Sequence, residues 1–340
     1  MRDRQQGLPS EKSDGMTNKR RVALFWLFWD KFGVFIIFLI VALIFASIEP
    51  RVVAPAQLIS VLTRSSWVAV AAAGMTFAIC SKGFDLSVGS IMSLTGCVLA
   101  KMTTENLLPT GVAILITIAI AVCCGVLNGV LISKVKIQPF VATLATLLIY
   151  DGIVQTYTKN IGTFIKTDHY GILIVIGRGS LIGIPIKILI VAGVFALALF
   201  LYHKTKFGVR VRAVGSNELA ARTSGINADN VLILVYIVTA VTAALAAILY
   251  TSTVQSASPN AGSGFELDVI TAVVLGGTAL SGGKGNLIGT YVGAVLVSFA
   301  KMCLNFLGAP ESTYVIVTGV ILLFALSISG IKLITQKREQ

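Results

Sequence analysis

Pro139 to Asp151 reads PFVATLATLLIYD, which places Thr143, Thr146, Tyr150 and Asp151 on an otherwise apolar helix. Asn128, Gln155 and Asn305 add amides on this and other apolar stretches. Hydroxyls, amides and aromatic faces are what a neutral polyol needs, and weak, exchangeable bonds suit a solute in passage. Each of these side chains can equally hydrogen-bond to a neighbouring helix. As a group they mark a candidate translocation path.

Two glycine-bearing stretches carry charge beside apolar runs. Gly83 to Ser90 is GFDLSVGS, where Asp85 and Ser87 can cap a helix beginning near Leu86, with Gly89 in its first turn. A carboxylate at the lipid midplane costs on the order of 3 kcal/mol. Asp85 is therefore expected at the membrane edge, capping or paired to a cation. Phe265 to Gly289 is FELDVITAVVLGGTALSGGKGNLIG. Glu266 and Asp268 open a helix, where carboxylates suit the positive end of its dipole. Gly276 and Gly277 interrupt that helix, and Gly282, Gly283 and Gly285 make a turn around Lys284. The turn fails as a phosphate loop, because Thr278 stands where GxxxxGK[ST] needs its first glycine and Gly285 follows the lysine.

A third stretch, His203 to Asn230, is the longest internal run unsuited to lipid. Its centre, Asn217 to Arg222 (NELAAR), reads as a short helix capped by Asn217 or Ser216, propagated by Leu219, Ala220 and Ala221 and stopped by Gly225. Such a helix between two spans is either a docking element or a solvated connection.

Other chemistries lack residues. Cys80, Cys97, Cys123, Cys124 and Cys303 have no CxxC spacing, and His169 and His203 are far apart, so neither a metal site nor catalysis is read. The net charge of +12 is spread over short loops and tails, with no aromatic-interleaved patch for nucleic acid.

The elements that position these residues are membrane spans. Hydrophobic residues make up 56% of the 340 and charged ones 12%, against about 25% charged in a soluble domain; mean hydropathy is +0.89. Ten apolar segments follow, at 32–48, 58–80, 86–102, 111–132, 140–157, 181–202, 231–252, 265–281, 287–307 and 314–332. The third and eighth are short or Gly-rich, which suggests one or two broken or re-entrant helices. The expected fold is an all-α polytopic membrane protein of about ten spans (8–10). Residues 24–333 form the transmembrane domain, between a disordered basic tail at 1–23 and a short tail at 334–340. Most of the 27 Lys and Arg fall on one side when both termini are cytoplasmic. Arg64, Lys187 and Lys301 fall inside spans near the outer end and are expected to snorkel outward. Gly125-x-x-x-Gly129 and Gly289-x-x-x-Gly293 allow close helix approach, within the bundle or at a dimer seam.

GMTFAICSKGFDLSVGS (74–90), GSNELAARTSGI (215–226) and ELDVITAVVLGGTALSGGKGNLIGT (266–290) resemble the permease subunits of bacterial ATP-binding cassette sugar importers. The branch serves ribose, xylose, allose, galactosides and autoinducer-2, and the resemblance runs from about residue 30 to 330. It implies a second permease copy, identical or paralogous, a cytoplasmic ATP-binding subunit carrying ATP and Mg, and an extracytoplasmic sugar-binding protein. It also implies a place in the bacterial inner membrane, with no cofactor on this chain. Gly215, Asn217, Glu218, Ala220, Ala221 and Gly225 match the family's ATPase-coupling loop, and Glu266 with Asp268 is a candidate contact for the binding protein. Lys82, Phe84 and Asp151 depart from the glycine, isoleucine and arginine common there.

The sequence thus reads as the permease subunit of an ATP-driven importer of a monosaccharide, ribose or a similar pentose, and not as an enzyme. The alternative is an ion-coupled sugar carrier, for which Asp151 is the candidate midplane carboxylate. A membrane-embedded enzyme, the third class, lacks any catalytic cluster.

Overall fold

The structure, a computed structural model, describes residues 11–105, 108–165 and 171–339. Residues 1–10 of the tail, Lys166, His169 and Gln340 lie outside them. Helix α1 spans Glu11–Ile48, and after a short 3-10 turn at Pro50–Val53 come α2 (Pro55–Arg64) and α3 (Ser66–Cys80). The last two meet at a 45° bend and together are long enough for one span. Then follow α4 (Val88–Thr104), α5 (Thr110–Ser133) and α6 (Pro139–Thr158). Beyond them lie β1 (Thr163–Phe164), α7 (Ile172–Arg178), β2 (Ser180–Leu181), β3 (Ile184–Pro185) and α8 (Ile186–Lys204). The remainder is α9 (Lys206–Ser216), α10 (Glu218–Thr223), α11 (Ala228–Val254), β4 (Ser256–Ala257), α12 (Phe265–Leu275), α13 (Leu287–Phe306) and α14 (Glu311–Glu339).

Each apolar segment read from the sequence contains a helix, but residues 181–185 of the sixth form the β2–β3 pair and residues 276–281 of the eighth form the turn after α12. Helices α5, α6, α8, α11 and α13 are each long and apolar enough to cross a membrane, and Phe32–Ile48 and Ser312–Ile328 are shorter apolar stretches. The strands are two-residue pairs, β1 with β4 and β2 with β3, antiparallel. Helices α1 and α14 extend into both stretches read as tails, from Glu11 and to Glu339. A formed helix adds one hydrogen bond per further residue, so elongation past the apolar boundary is easier than nucleation.

Two short helices explain how polar backbone is accommodated at depth. Helix α4 is almost wholly buried. Helix α12 has 11 residues, about 16 Å at 1.5 Å per residue, roughly half the hydrocarbon thickness. Irregular backbone at such depth is tolerated only when protein satisfies it. After α12 the Asn286 amide donates to Gly276 O at 2.8 Å, and Asn286 N donates to Thr278 Oγ1 at 3.1 Å.

Helix α11 is the buried post on which the bundle is built, with Ala240, Ala243, Ala244 and Ala246 inaccessible. It packs backbone to backbone on α5. A Cβ added at Gly125 would lie 2.7 Å from Ile237 Cα, and one at Gly129 2.6 Å from Ile233 Cα. That glycine pair therefore packs helices within one chain. Gly125→Ala is expected to lower thermal stability in detergent by about 1–3 kcal/mol through overpacking. Gly193→Ala, in α8 with nothing within 4 Å of an added Cβ, should raise it by about 0.5–1 kcal/mol through helix propensity. Equal melting shifts for the two would show that the α5–α11 contact yields freely.

Candidate coupling junction at the basic end

Helix α10 forms where the sequence places it. Asn217 Oδ1 accepts Ala220 N at 3.0 Å as its cap, and Gly225 leaves it at φ +83. Ser216 instead closes α9, an 11-residue helix not read from the sequence. Thr205 Oγ1 accepts from Gly208 N at its start, and Gly208, Val211, Val214 and Gly215 make its buried face. The signal was there in the Gly208, Val211, Val214 spacing, but Lys206, Arg210 and Arg212 on the other positions masked it. Of α10, Ala221 is buried while Glu218 and Ala220 are exposed, and Leu219 stands 73% exposed.

Charge ties α10 to two other elements. Arg222 Nη2 donates to Glu218 Oε1 at 2.8 Å and also to Asp229 Oδ1. These carboxylates, Asp229 first, hold the Arg222 guanidinium above its ordinary pKa. Asp229 takes the ammonium of Lys136 at 3.0 Å as well, which joins the α5–α6 turn to the base of α11.

Beneath α9 the three motif stretches converge. Gly215 lies against the Cys80 carbonyl, and an added Cβ there would be 1.8 Å from Cys80 O and 2.8 Å from Gly283 N. Gly283 N itself donates to Cys80 O at 2.8 Å. Gly282 and Gly283 hold φ of +81 and +78, a backbone region that glycine enters without steric cost. Lys82 Nζ donates to Ser216 O at 3.1 Å, and Gly285 N donates to Tyr202 OH at 2.6 Å. Arg212 bonds the Tyr202 carbonyl and lies over its ring at 4.8 Å. The end of α3, the end of α9 and the α12–α13 turn are thus joined by close main-chain contacts and by the Lys82 and Tyr202 side chains.

The candidate path residues divide. Asp85 is wholly buried and, among the described residues, has no cation partner; it caps the approach to α4, its Oδ1 accepting Ser87 N at 3.0 Å and Ser87 Oγ at 2.6 Å. Asn128 Nδ2 donates to Ser87 Oγ at 2.8 Å, and Thr143 Oγ1 to Phe84 O at 3.3 Å. Thr146 bonds back to Thr143 O at 3.2 Å, and Tyr150 OH donates to Cys124 O at 3.3 Å. Asp85 Oδ2 and Asn128 Oδ1 have no hydrogen-bond partner among the described residues. Asp151 is half-buried and Gln155 exposed on α6. Asn305 is elsewhere, lining a cavity with Trp67 and Arg64.

The acidic pair and the three span cations also differ from expectation. Glu266 is half-buried, its Oε2 2.4 Å from where a Gly89 Cβ would stand. Asp268 is 7% exposed and paired with Lys301, so it is not on a surface that a soluble partner reaches. Lys301 turns inward to it, and Lys187 donates to Thr253 Oγ1 at 3.3 Å. Arg64 alone of the three is exposed. A partner inside the bundle satisfies an ammonium without stretching it to the interface.

The sequence model of the family described as "Branched-chain amino acid transport system / permease component" matches residues 57–326. The ribose import permease protein RbsC of Escherichia coli K12 is 36% identical over 321 residues, 93% of this chain and 98% of that protein. RbsC of Haemophilus influenzae is 38% identical over 86% of this chain and 90% of its own, and the D-allose transport system permease protein AlsC of E. coli 31% over 89% and 93%. No solved structure matches the chain. The match takes in the bent α2–α3 span, the junction and every full-length span after it, and the chain belongs to this permease family.

Proposed function

We propose that the chain is the membrane-spanning subunit of an ATP-driven importer for a monosaccharide, ribose or a similar pentose, and that it moves no sugar alone. Two permease copies form the pathway in the bacterial inner membrane with both termini cytoplasmic. An ATP-binding subunit carrying ATP and Mg grips α9–α10, and a binding protein delivers sugar from outside. The observation that carries this reading is the junction: an exposed short helix with Leu219 outermost, fixed by Gly215 to α3 and to the α12–α13 turn. Closure of the ATP-binding pair would push α10, and α9 would pass the motion to Cys80 and Gly283. Asn128, Thr143, Thr146 and Tyr150, around the turn that holds Asp85, are proposed to face the moving solute when the halves rock, with Asp151 and Gln155 beside them on α6.

The test is uptake of labelled D-ribose by vesicles holding the chain with its ATP-binding and sugar-binding subunits. ATP-dependent uptake is expected, with none from the chain alone or with a hydrolysis-dead partner. Glu218→Arg, which reverses charge on the face of α10 and removes the Arg222 contact, should lower uptake about tenfold or more while basal ATP hydrolysis persists. Unchanged uptake would remove α10 from the interface. The ion-coupled reading gains one observation, the fully buried Asp85 with an unbonded Oδ2. Uptake that survives a dead ATPase but is lost in Asp85→Asn or Asp151→Asn would favour it.

A further inference from the structure

The N-terminus of α3 and the C-terminus of α13 lie at the end of the bundle away from the junction. Between α2, α3, α12, α13 and α14 that end holds a cavity of about 530 Å³. This is within the range of small-molecule sites and well above what one or two waters fill. Its wall is chemically divided. Trp67 supplies an indole whose position is fixed by edge-on packing against Tyr250, with ring centroids 5.6 Å apart. Gln57 and Asn305 supply amides, and Ser60 and Ser298 supply hydroxyls. Behind them Asp268 takes the ammonium of Lys301 and the hydroxyl of Thr318, the latter at 3.4 Å. The deep charges therefore cancel, and Arg64 is the further cation of the lining.

A divalent cation has no open carboxylate there, since Asp268 is already engaged by Lys301. A phosphate would meet one arginine with no second uncompensated cation among the lining residues. A neutral polyol matches the set, because amides and hydroxyls donate and accept side by side and an indole face covers the C–H face of a sugar ring. Resting on the import reading, we propose that this cavity is a monosaccharide subsite within the single permease subunit. It holds sugar released on the outer side before the bundle rocks, with Trp67 against the ring and Gln57 and Asn305 on the hydroxyls.

The chain has three tryptophans, so Trp26→Phe with Trp29→Phe leaves Trp67 as the reporter. In lipid nanodiscs carrying the full-length chain, D-ribose should change Trp67 emission saturably, and sodium phosphate at the same concentrations should not. Asn305→Ala and Gln57→Ala should each raise the ribose midpoint by about five- to tenfold, the loss of one or two hydrogen bonds. A silent Trp67, a response to phosphate alone, or midpoints unmoved in both variants would overturn the subsite. ATP-driven ribose uptake by the complete wild-type assembly is measured in parallel. Uptake that is intact beside a silent Trp67 sinks the subsite alone, whereas absent uptake removes the import reading on which the subsite rests.

Discussion

Gly215→Ala should lower sugar uptake at least about tenfold while the protein still reaches the membrane. The added methyl would stand 1.8 Å from the Cys80 carbonyl oxygen and 2.8 Å from Gly283 N, and both obstacles are backbone. Those two atoms are themselves a hydrogen-bonded pair at 2.8 Å. Either α9 lifts away from α3 or the pair separates. Leaving a buried donor and acceptor unmade costs about 1–3 kcal/mol, and overpacking adds about 1–3 kcal/mol more. Each 1.4 kcal/mol of lost coupling is about tenfold, so uptake should fall by at least about tenfold. Lys82→Ala tests the same junction without a clash, since it removes only the Nζ bond to Ser216 O. A loss of a few-fold is expected there, with normal amounts of protein. Full uptake by both variants would separate the junction from transport.

Lys301→Met should be among the most destabilising substitutions in the transmembrane domain. It leaves Asp268, 7% exposed, with the Thr318 hydroxyl as its remaining bond. Breaking one side of a buried pair costs about 3–5 kcal/mol, and the lower end applies because the Lys301 side chain is 38% exposed. The double variant Asp268→Leu with Lys301→Met removes both charges and should recover most of that loss. The measurement is thermal unfolding in detergent. If the double variant melts no higher than the single one, the unpaired Asp268 charge is not the source of the loss.

What could be read ahead of the structure follows the physics of each signal. The spans were legible because lipid demands some twenty apolar residues in a row, and α10 because Asn217 and Gly225 mark helix ends by side-chain chemistry and by positive φ. Helix α9 was hidden because its basic residues outweighed two buried valines. Burial of charged groups was also hidden. Asp85 was read as a cap, and it does accept the Ser87 N–H and hydroxyl, but its complete burial could not be read from a local pattern. Lys301 was turned outward for the same reason, since its partner Asp268 lies 33 residues away in sequence. The junction was the least legible part, for its closest contacts are main-chain ones that leave a trace only where glycine is required, and its side-chain bonds join residues far apart in sequence.

The turn from Gly276 to Asn286 carries a consequence for how such chains can vary. It is held by backbone hydrogen bonds, Ala279 N to Lys284 O at 3.0 Å and Gly283 N to Cys80 O at 2.8 Å, with Thr278 and Asn286 bonding at its ends, so apart from those two residues and its positive-φ glycines its span matters more than its side chains. Swapping Leu280 or Ser281 for another residue leaves those bonds in place, whereas inserting or deleting one residue would misalign every rung after it. The segment behaves as a spacer of set size, and drift in this part of the gene should proceed by substitution while its length stays constant.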